Sequence, residues 1–247
     1  MNRYSYKNVC LIVTSCMFPK SNVKKLTVTN FETRKEQYME SLKWYINETD
    51  IVNICYCDNS MAPCDVDLVM LANSKGKRLE WLSFQGDCEK VAEQGKGYGE
   101  GEILDYAFKN SQLVNEADVL IKITGRLNAL NIKTILKFTD RRYSYFEMHR
   151  GYVDSRCYVV KKQDYLKYLL GLKNEVDDNK RYYIEHVLFD KIKNNTRRFH
   201  PLPFALNISG ISGSMGVEYK DTAVKHIAKS LKRFILSVIW HITQLAK

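Results

Sequence analysis

Short β-rich runs alternate with stretches of helical periodicity along most of the chain, the pattern of a three-layer α/β domain. Val9-Cys-Leu-Ile-Val-Thr14 is apolar without alternation, which predicts a strand covered on both faces. Phe31, Tyr38, Leu42, Tyr45 and Ile46 recur at helical spacing, with Asn30 suited to the N-cap and Glu32 to the first turn, and predict a helix over Phe31 to Ile46. Ile51 to Cys57 and Arg78 to Phe84 read as strands, the first ending in the turn-forming trio Asp58-Asn59-Ser60. Ala117 to Thr124 is the strongest strand pattern and runs straight into Gly125-Arg126. Farther on, Tyr143 to Met148 and Ser155 to Val160 read as strands, and Gln163 to Leu170 and Tyr182 to Ile192 as helices. Arg197 to Pro203 reads as an irregular basic loop, and Ile208 to Gly216 as a mobile Gly/Ser loop.

The end of the chain has a different rhythm. Leu231, Phe234, Ile235, Val238, Ile242 and Leu245 follow i, i+3, i+4, i+7 spacing, while Lys229, Arg233, Ser237, His241 and Gln244 lie opposite. The mostly apolar stretch after Arg233 is 13 residues long, short of the roughly 20 that span a bilayer. With Trp240 and its flanking lysines, 229–247 is expected to lie in the headgroup region of an anionic leaflet; packing on the core or on a partner is the other use of such a helix. The division expected is one domain over 1–218 and a basic amphipathic tail over 219–247.

Composition narrows the choice of partner. The 247 residues are 45% hydrophobic and 27% charged, enough to bury a core and too varied for a repeat or linker-rich architecture. Thirty-eight Lys plus Arg against 28 Asp plus Glu leave a net charge of +10, so a polyanionic partner is expected. Residues 220–247 hold six basic side chains and one acid, and thus about half of that charge. The seven cysteines are scattered with no CxxC pair, which argues against a disulfide framework or zinc knuckle. Cys55 and Cys57 read as small buried thiols on one face of a strand. No charged, apolar, small-residue leader pattern opens the sequence, and a cytoplasmic location is expected.

Chemistry gathers where strands meet glycine-rich or polar segments, because such ends line the ligand crevice of an open parallel sheet. Gly95-Lys-Gly-Tyr-Gly-Glu-Gly101 precedes a helical pattern and reads as a glycine loop entering a helix. It matches neither GxxxxGK[ST] nor GxGxxG. A backbone that a ligand can approach, with Lys96 inside it and a helix N-terminus after it, suits phosphate or sugar hydroxyls; a tight structural turn is the alternative. In Lys122-Ile-Thr-Gly-Arg126, Lys122 and Thr124 share one strand face, where Lys122 and Arg126 could neutralise a diphosphate; an edge strand with a solvated lysine is the other reading. Glu147, Asp154 and Glu185 are candidate bases. Glu185, beside His186 in an apolar helix, should have a raised pKa if it faces inward, whereas Asp154 could pair with Arg156. No GxSxG occurs, and the five histidines show no metal spacing.

Taken in order, Thr14, Asp58-Asn59-Ser60, Lys96-Gly-Tyr-Gly-Glu-Gly-Glu102, Lys122-Ile-Thr-Gly-Arg126 and Ile211-Ser-Gly-Ser214 resemble GT-A-type glycosyltransferases of bacterial surface-polysaccharide (capsule or O-antigen) gene clusters, over about residues 8 to 220. The resemblance implies a single GT-A-like, Rossmann-like mixed-sheet domain binding a nucleotide-sugar donor at the carboxyl ends of its strands. Thr14 and Asp58, with Asn59 and Ser60, would contact the base or ribose. Lys96, Gly97, Tyr98, Gly99 and Glu100 would approach the donor, with Lys122, Thr124, Gly125 and Arg126 near the diphosphate and Ser212 and Ser214 on a late loop. Thr-Gly-Arg stands where the family carries its metal-binding Asp-x-Asp, so no metal ligands are assigned, no cofactor is expected to be required, and Lys122, Arg126 and Lys96 are expected to stabilise the leaving group. Glu185, then Asp154, would serve as the base of an inverting reaction.

The function expected is transfer of a sugar to a lipid-linked saccharide acceptor at the inner face of the cell membrane. A sugar nucleotidyltransferase is the first rival, weakened because Ser15-Cys-Met-Phe-Pro after the first strand lacks glycine. A nucleic-acid-binding protein is the second, with Arg141, Arg142, Tyr143 and Tyr145 as one small basic aromatic cluster; concentration of charge in the tail argues against nucleic acid.

Overall fold

The computed structural model describes residues 8–19, 30–139, 142–211 and 216–245. Its first half runs β1 (Val9–Ser15), α1 (Phe31–Glu48), β2 (Asn53–Asp58), α2 (Val66–Ser74), β3 (Arg78–Ser83), α3 (Cys88–Gln94), α4 (Lys96–Asn110), α5 (Gln112–Glu116) and β4 (Val119–Thr124). The second half runs β5 (Leu127–Ala129), α6 (Ile132–Phe138), β6 (Ser144–Phe146), β7 (Cys157–Lys161), α7 (Lys162–Asp164) continued by a π-turn over Tyr165–Leu169, α8 (Ile184–Ile192), β8 (Phe199–Pro201), β9 (Ile208–Ile211), β10 (Glu218–Tyr219) and α9 (Ala223–Leu245).

Seven strands form one mixed sheet in the order β3-β2-β1-β4-β7-β6-β8. The first four are parallel, β7 runs antiparallel to both β4 and β6, and β8 pairs parallel with β6. A small antiparallel sheet, β10-β9-β5, continues the chain beyond β4. The unalternating apolar strands are explained by burial on both sides. Val9, Leu11 and Val13 of β1 enter one core with α1, while Cys10 and Ile12 enter the other with α4, α5 and α8. The α/β architecture with a C-terminal helix is therefore as the sequence pattern predicts.

Several local expectations change. The supposed glycine loop is helix: α4 begins at Lys96, and only Gly95 takes a left-handed backbone, φ 99°. The glycines permit close packing. A Cβ on Gly97 would stand 2.8 Å from Val176 Cγ1, and one on Gly101 would stand 2.7 Å from Lys173 Cβ. Residues 97 and 101 are one turn apart on one face of α4, so the chain from Leu172 to Val176 packs almost against its backbone. The expected basic loop contains β8, and part of the expected mobile loop is β9; residues 212–215 lie outside the described residues. All seven cysteines are free, and Cys10, Cys55 and Cys57 share one core.

The terminal helix packs opposite to the usual arrangement. Arg233 Nη1 donates to Met148 O at 2.5 Å and Arg233 Nη2 pairs with Glu147 Oε1 at 3.0 Å, while Ser237 is buried and a ring nitrogen of His241 lies 3.2 Å from one of His200. Its apolar side chains, Leu231, Ile235 and Ile242 among them, face outward. The helix thus rests on the domain, which is the alternative use expected of it, but through Arg233, the buried Ser237 and Trp240 against His200 rather than through its apolar stripe, while Lys229 and His241 stay exposed. No helix among the described residues is long and apolar enough to cross a membrane.

Candidate active site

A cavity of about 1040 Å³ opens at the carboxyl ends of the parallel strands. Thr14 and Ser15 end β1 there, Asn59 and Ser60 follow β2, and Thr124 and Arg126 close β4. Helices from both faces of the sheet complete its walls: Arg34 and Tyr38 of α1 from one side, Lys96, Gly97, Gly99 and Glu100 of α4 and Glu185 of α8 from the other. Asp154 and Ser155 before β7 line it too, and α9 contributes Lys229, Lys232, Arg233 and Leu236.

Positive charge is held at the β1–β4 end. Arg126 is 7% exposed, donates from Nη1 to Gln37 Oε1 at 3.0 Å, and lies with its guanidinium carbon 5.6 Å from the centre of the Tyr38 ring. Its Nε is buried without a partner, and it forms no ion pair among the described residues. Arg34, 2% exposed, donates to the carbonyls of Met17 at 3.2 Å and Cys16, and its guanidinium carbon lies 5.7 Å from the same Tyr38 ring. Burial, and then the charge of Arg34 against the opposing pull of Tyr38, leaves the Arg126 pKa below the ordinary arginine value. Two guanidiniums at one aromatic ring thus form an electropositive corner whose neutralisation by an anion would be favourable.

Carboxylates gather on the other side. Ser155 Oγ donates to Glu185 Oε1 at 2.8 Å. Burial raises the Glu185 pKa, the charge of Glu100 raises it further, and the Ser155 hydrogen bond and Lys122 pull it back only in part. Asp154 is fixed differently: both of its oxygens accept from Arg156, which itself lies 4.6 Å from the Tyr219 ring centre. Glu147 accepts from the Leu206 N–H at 2.8 Å and pairs with Arg233. Burial opposes its ionisation, but hydrogen bonds from His149 and Leu206, with the charge of Arg233, hold its pKa below the ordinary value.

Not every residue singled out in the sequence reaches the cavity. Lys122 does share a face with Thr124, but it stands mid-sheet between β1 and β7 and is 1% exposed. Its Nζ pairs with Glu100 and donates to Thr124 Oγ1 at 3.1 Å and Ser155 O at 2.7 Å. All three ammonium donors are used, so Lys122 is neither an edge lysine nor a direct diphosphate contact. Asp58 is likewise turned inward. Its carboxylate accepts from Ser15 Oγ, the Met17, Ser60 and Ala62 N–H groups and Ser60 Oγ, which ties the β1 and β2 ends together and leaves it no reach toward a ribose. Tyr98 and Gly125 do not line the cavity either. Gly125 meets a packing need instead, since a Cβ there would stand 2.6 Å from Thr14 O. Ser212, Ser214 and Arg141 lie outside the described residues.

Arg34 is the chief addition. It occupies the stripe of α1 that also carries Tyr38, Ser41, Leu42 and Tyr45 inward. A charged residue at a position of the buried periodicity was the available signal. Among the described residues no group of three or more His, Cys, Asp or Glu is placed to hold a metal ion.

No family model and no curated protein matches this chain. Solved structures that resemble its path include the following three. One is assigned as a nucleotide-diphospho-sugar transferase from Desulfovibrio desulfuricans, with 12% identity, 79% of each chain covered and a TM-score of 0.47. HddC from Yersinia pseudotuberculosis has 13% identity over 91% of this chain and 98% of its own, with a TM-score of 0.40. Glucosyl-3-phosphoglycerate synthase from Mycobacterium tuberculosis has 11% identity over 94% of this chain and 78% of its own, with a TM-score of 0.36. The functional reading rests on the residues of the cavity itself.

Proposed function

We propose that this protein is a GT-A-type glycosyltransferase that moves a sugar from a nucleotide-sugar donor to a lipid-linked saccharide acceptor in surface polysaccharide assembly, working at the inner face of the cell membrane. The observation that carries the reading is the orphaned, buried Nε of Arg126 in a strand-end cavity that also holds a half-buried Glu185 of raised pKa. Such a cavity offers a fixed cation to a departing diphosphate and a base to an incoming hydroxyl.

The reaction follows from that division. The acceptor oxygen forms a bond to the anomeric carbon of the donor as the bond from that carbon to the diphosphate oxygen breaks. The bonding pair leaves with the nucleoside diphosphate, whose developing charge meets Arg126, with Arg34 and Lys96 nearby on the cavity wall. The acceptor proton passes to Glu185. Glu185 suits this role better than Asp154, because Arg156 engages both Asp154 oxygens.

Members of the fold family that carry Asp-x-Asp hold a divalent cation at this strand end. The residues here do not fit one: Thr124-Gly125-Arg126 puts a guanidinium in that place. Charge stabilisation is therefore assigned to the arginines, without a metal step.

Donor turnover with a panel of nucleotide sugars, with and without chelator, tests the proposal. Release of one nucleoside diphosphate that persists in chelator is the expected result. Failure to bind any nucleotide sugar would overturn it.

A further inference from the structure

Of the 19 large hydrophobic side chains exposed among the described residues, nine sit on α9. Leu231 is 60% exposed, Ile235 50% and Ile242 61%, while the opposite side is held to the domain by Arg233 and buries Ser237. An apolar stripe of this size on a helix whose polar side is already fastened asks for an apolar medium. At one margin of the stripe, Lys229, Lys232 and Leu236 also line the cavity, so the wall passes from basic to apolar along α9. Lys232 makes no ion pair among the described residues, and Lys229 shares Asp221 with Lys225.

We infer that α9 is a preformed docking surface for an anionic lipid bilayer, lying with its apolar stripe in the headgroup region and placing the Lys229–Lys232 margin over the phosphate of a bilayer-resident substrate. Charge selects this occupant over a second copy of the chain. Lys225, Lys229 and Lys232 edge the stripe, and an anionic leaflet neutralises these cations whereas a second copy brings only the same charges to the contact. The arrangement also spares the helix any detachment, because the face that anchors it is not the face that binds. The inference rests on the lipid-linked acceptor of the proposed reaction and specifies where its phosphate lies.

Vesicle flotation of the full chain, without donor or acceptor, tests it separately from sugar transfer. Three vesicles serve: phosphatidylcholine alone, phosphatidylcholine with phosphatidylglycerol, and phosphatidylcholine with a long-chain prenyl phosphate. Binding to both anionic vesicles and not to the neutral ones is expected, with the prenyl phosphate preferred. Changing Leu231, Ile235 and Ile242 together to Ser should weaken partition about 100-fold, and these outward positions leave the fold intact by circular dichroism. Lys229→Gln with Lys232→Gln should abolish the preference for prenyl phosphate over phosphatidylglycerol. Full binding by the triple Ser variant, absence of binding to either anionic vesicle, or a lipid-free dimer that those Ser changes dissociate would overturn the docking surface. Equal binding of the two anionic lipids by the unmodified chain would overturn the phosphate margin.

Discussion

Ser155 Oγ donates to Glu185 Oε1 at 2.8 Å, while the carbonyl of the same serine accepts from Lys122 Nζ at 2.7 Å. One residue thus joins the proposed base to a half-buried ion pair, since Lys122 also holds Glu100. The like charge of Glu100 is the second cause, after burial, of the raised Glu185 pKa. A base must be ionised to act, so kcat should rise with pH through a limb above the ordinary glutamate value of 4.5. Glu100→Gln removes the repulsion and should move that limb to lower pH; an unmoved limb in a full pH profile would assign the titration to another group. Glu185→Gln should lower kcat by about 10²–10⁴-fold with donor affinity retained.

Lys122 itself contributes through folding. Lys122→Met leaves Glu100, 24% exposed, without its cation in a partly solvated site. The expected cost in urea unfolding is about 2–4 kcal/mol, between the values for buried and exposed pairs. Adding Glu100→Gln should recover part of that loss, because the stranded charge is gone. Additive losses in the double variant would mean that the two residues do not act as a pair.

Arg126 and Arg34 should dominate binding of the leaving group. Arg126→Ala should weaken nucleoside diphosphate binding in calorimetry by about 1.5–3 kcal/mol, or roughly 10- to 150-fold, the range for a charged hydrogen bond. Lys122→Met should leave that affinity within about threefold, because Lys122 lies behind the wall and donates to protein groups. The reverse order of effects would restore the lysine as the diphosphate contact.

The α4 glycines give a test of packing against ligand approach. An exposed mid-helix glycine gains about 1 kcal/mol on change to alanine. Gly101→Ala should instead lose about 1–3 kcal/mol in thermal or chemical unfolding, since its methyl would meet both Lys173 Cβ at 2.7 Å and Lys173 Cα at 3.1 Å. A stabilised variant would show that this segment yields easily.

Much of the architecture is written in local pattern. Unalternating runs such as Val9 to Thr14 can be stable only when covered on both sides, and the α1 periodicity has one inward stripe, so β1, α1, β2, β3 and β4 are readable one segment at a time. The strand-end position of Thr14, Asn59, Ser60, Thr124 and Arg126 follows from where those apolar runs stop. Short pieces such as β5, β8 and β9 are not readable this way, because a three- or four-residue strand exists only through the partner it pairs with.

What a polar residue faces is a property of its neighbours in space. Lys122 and Arg126 are four residues apart in one basic motif, yet one meets Glu100 from α4 and the other is left open beside α1. Asp58 at a strand end has the chemistry to bind a ribose, but the N–H groups of its own turn, Ser60 and Ala62, take one oxygen, and Met17 N–H and Ser15 Oγ from the end of β1 take the other. Periodicity on α9 defines two faces without saying which is packed. Arg233 decides that, since its partners Glu147 and Met148 lie some 85 residues earlier in the chain and become adjacent only when the sheet is assembled.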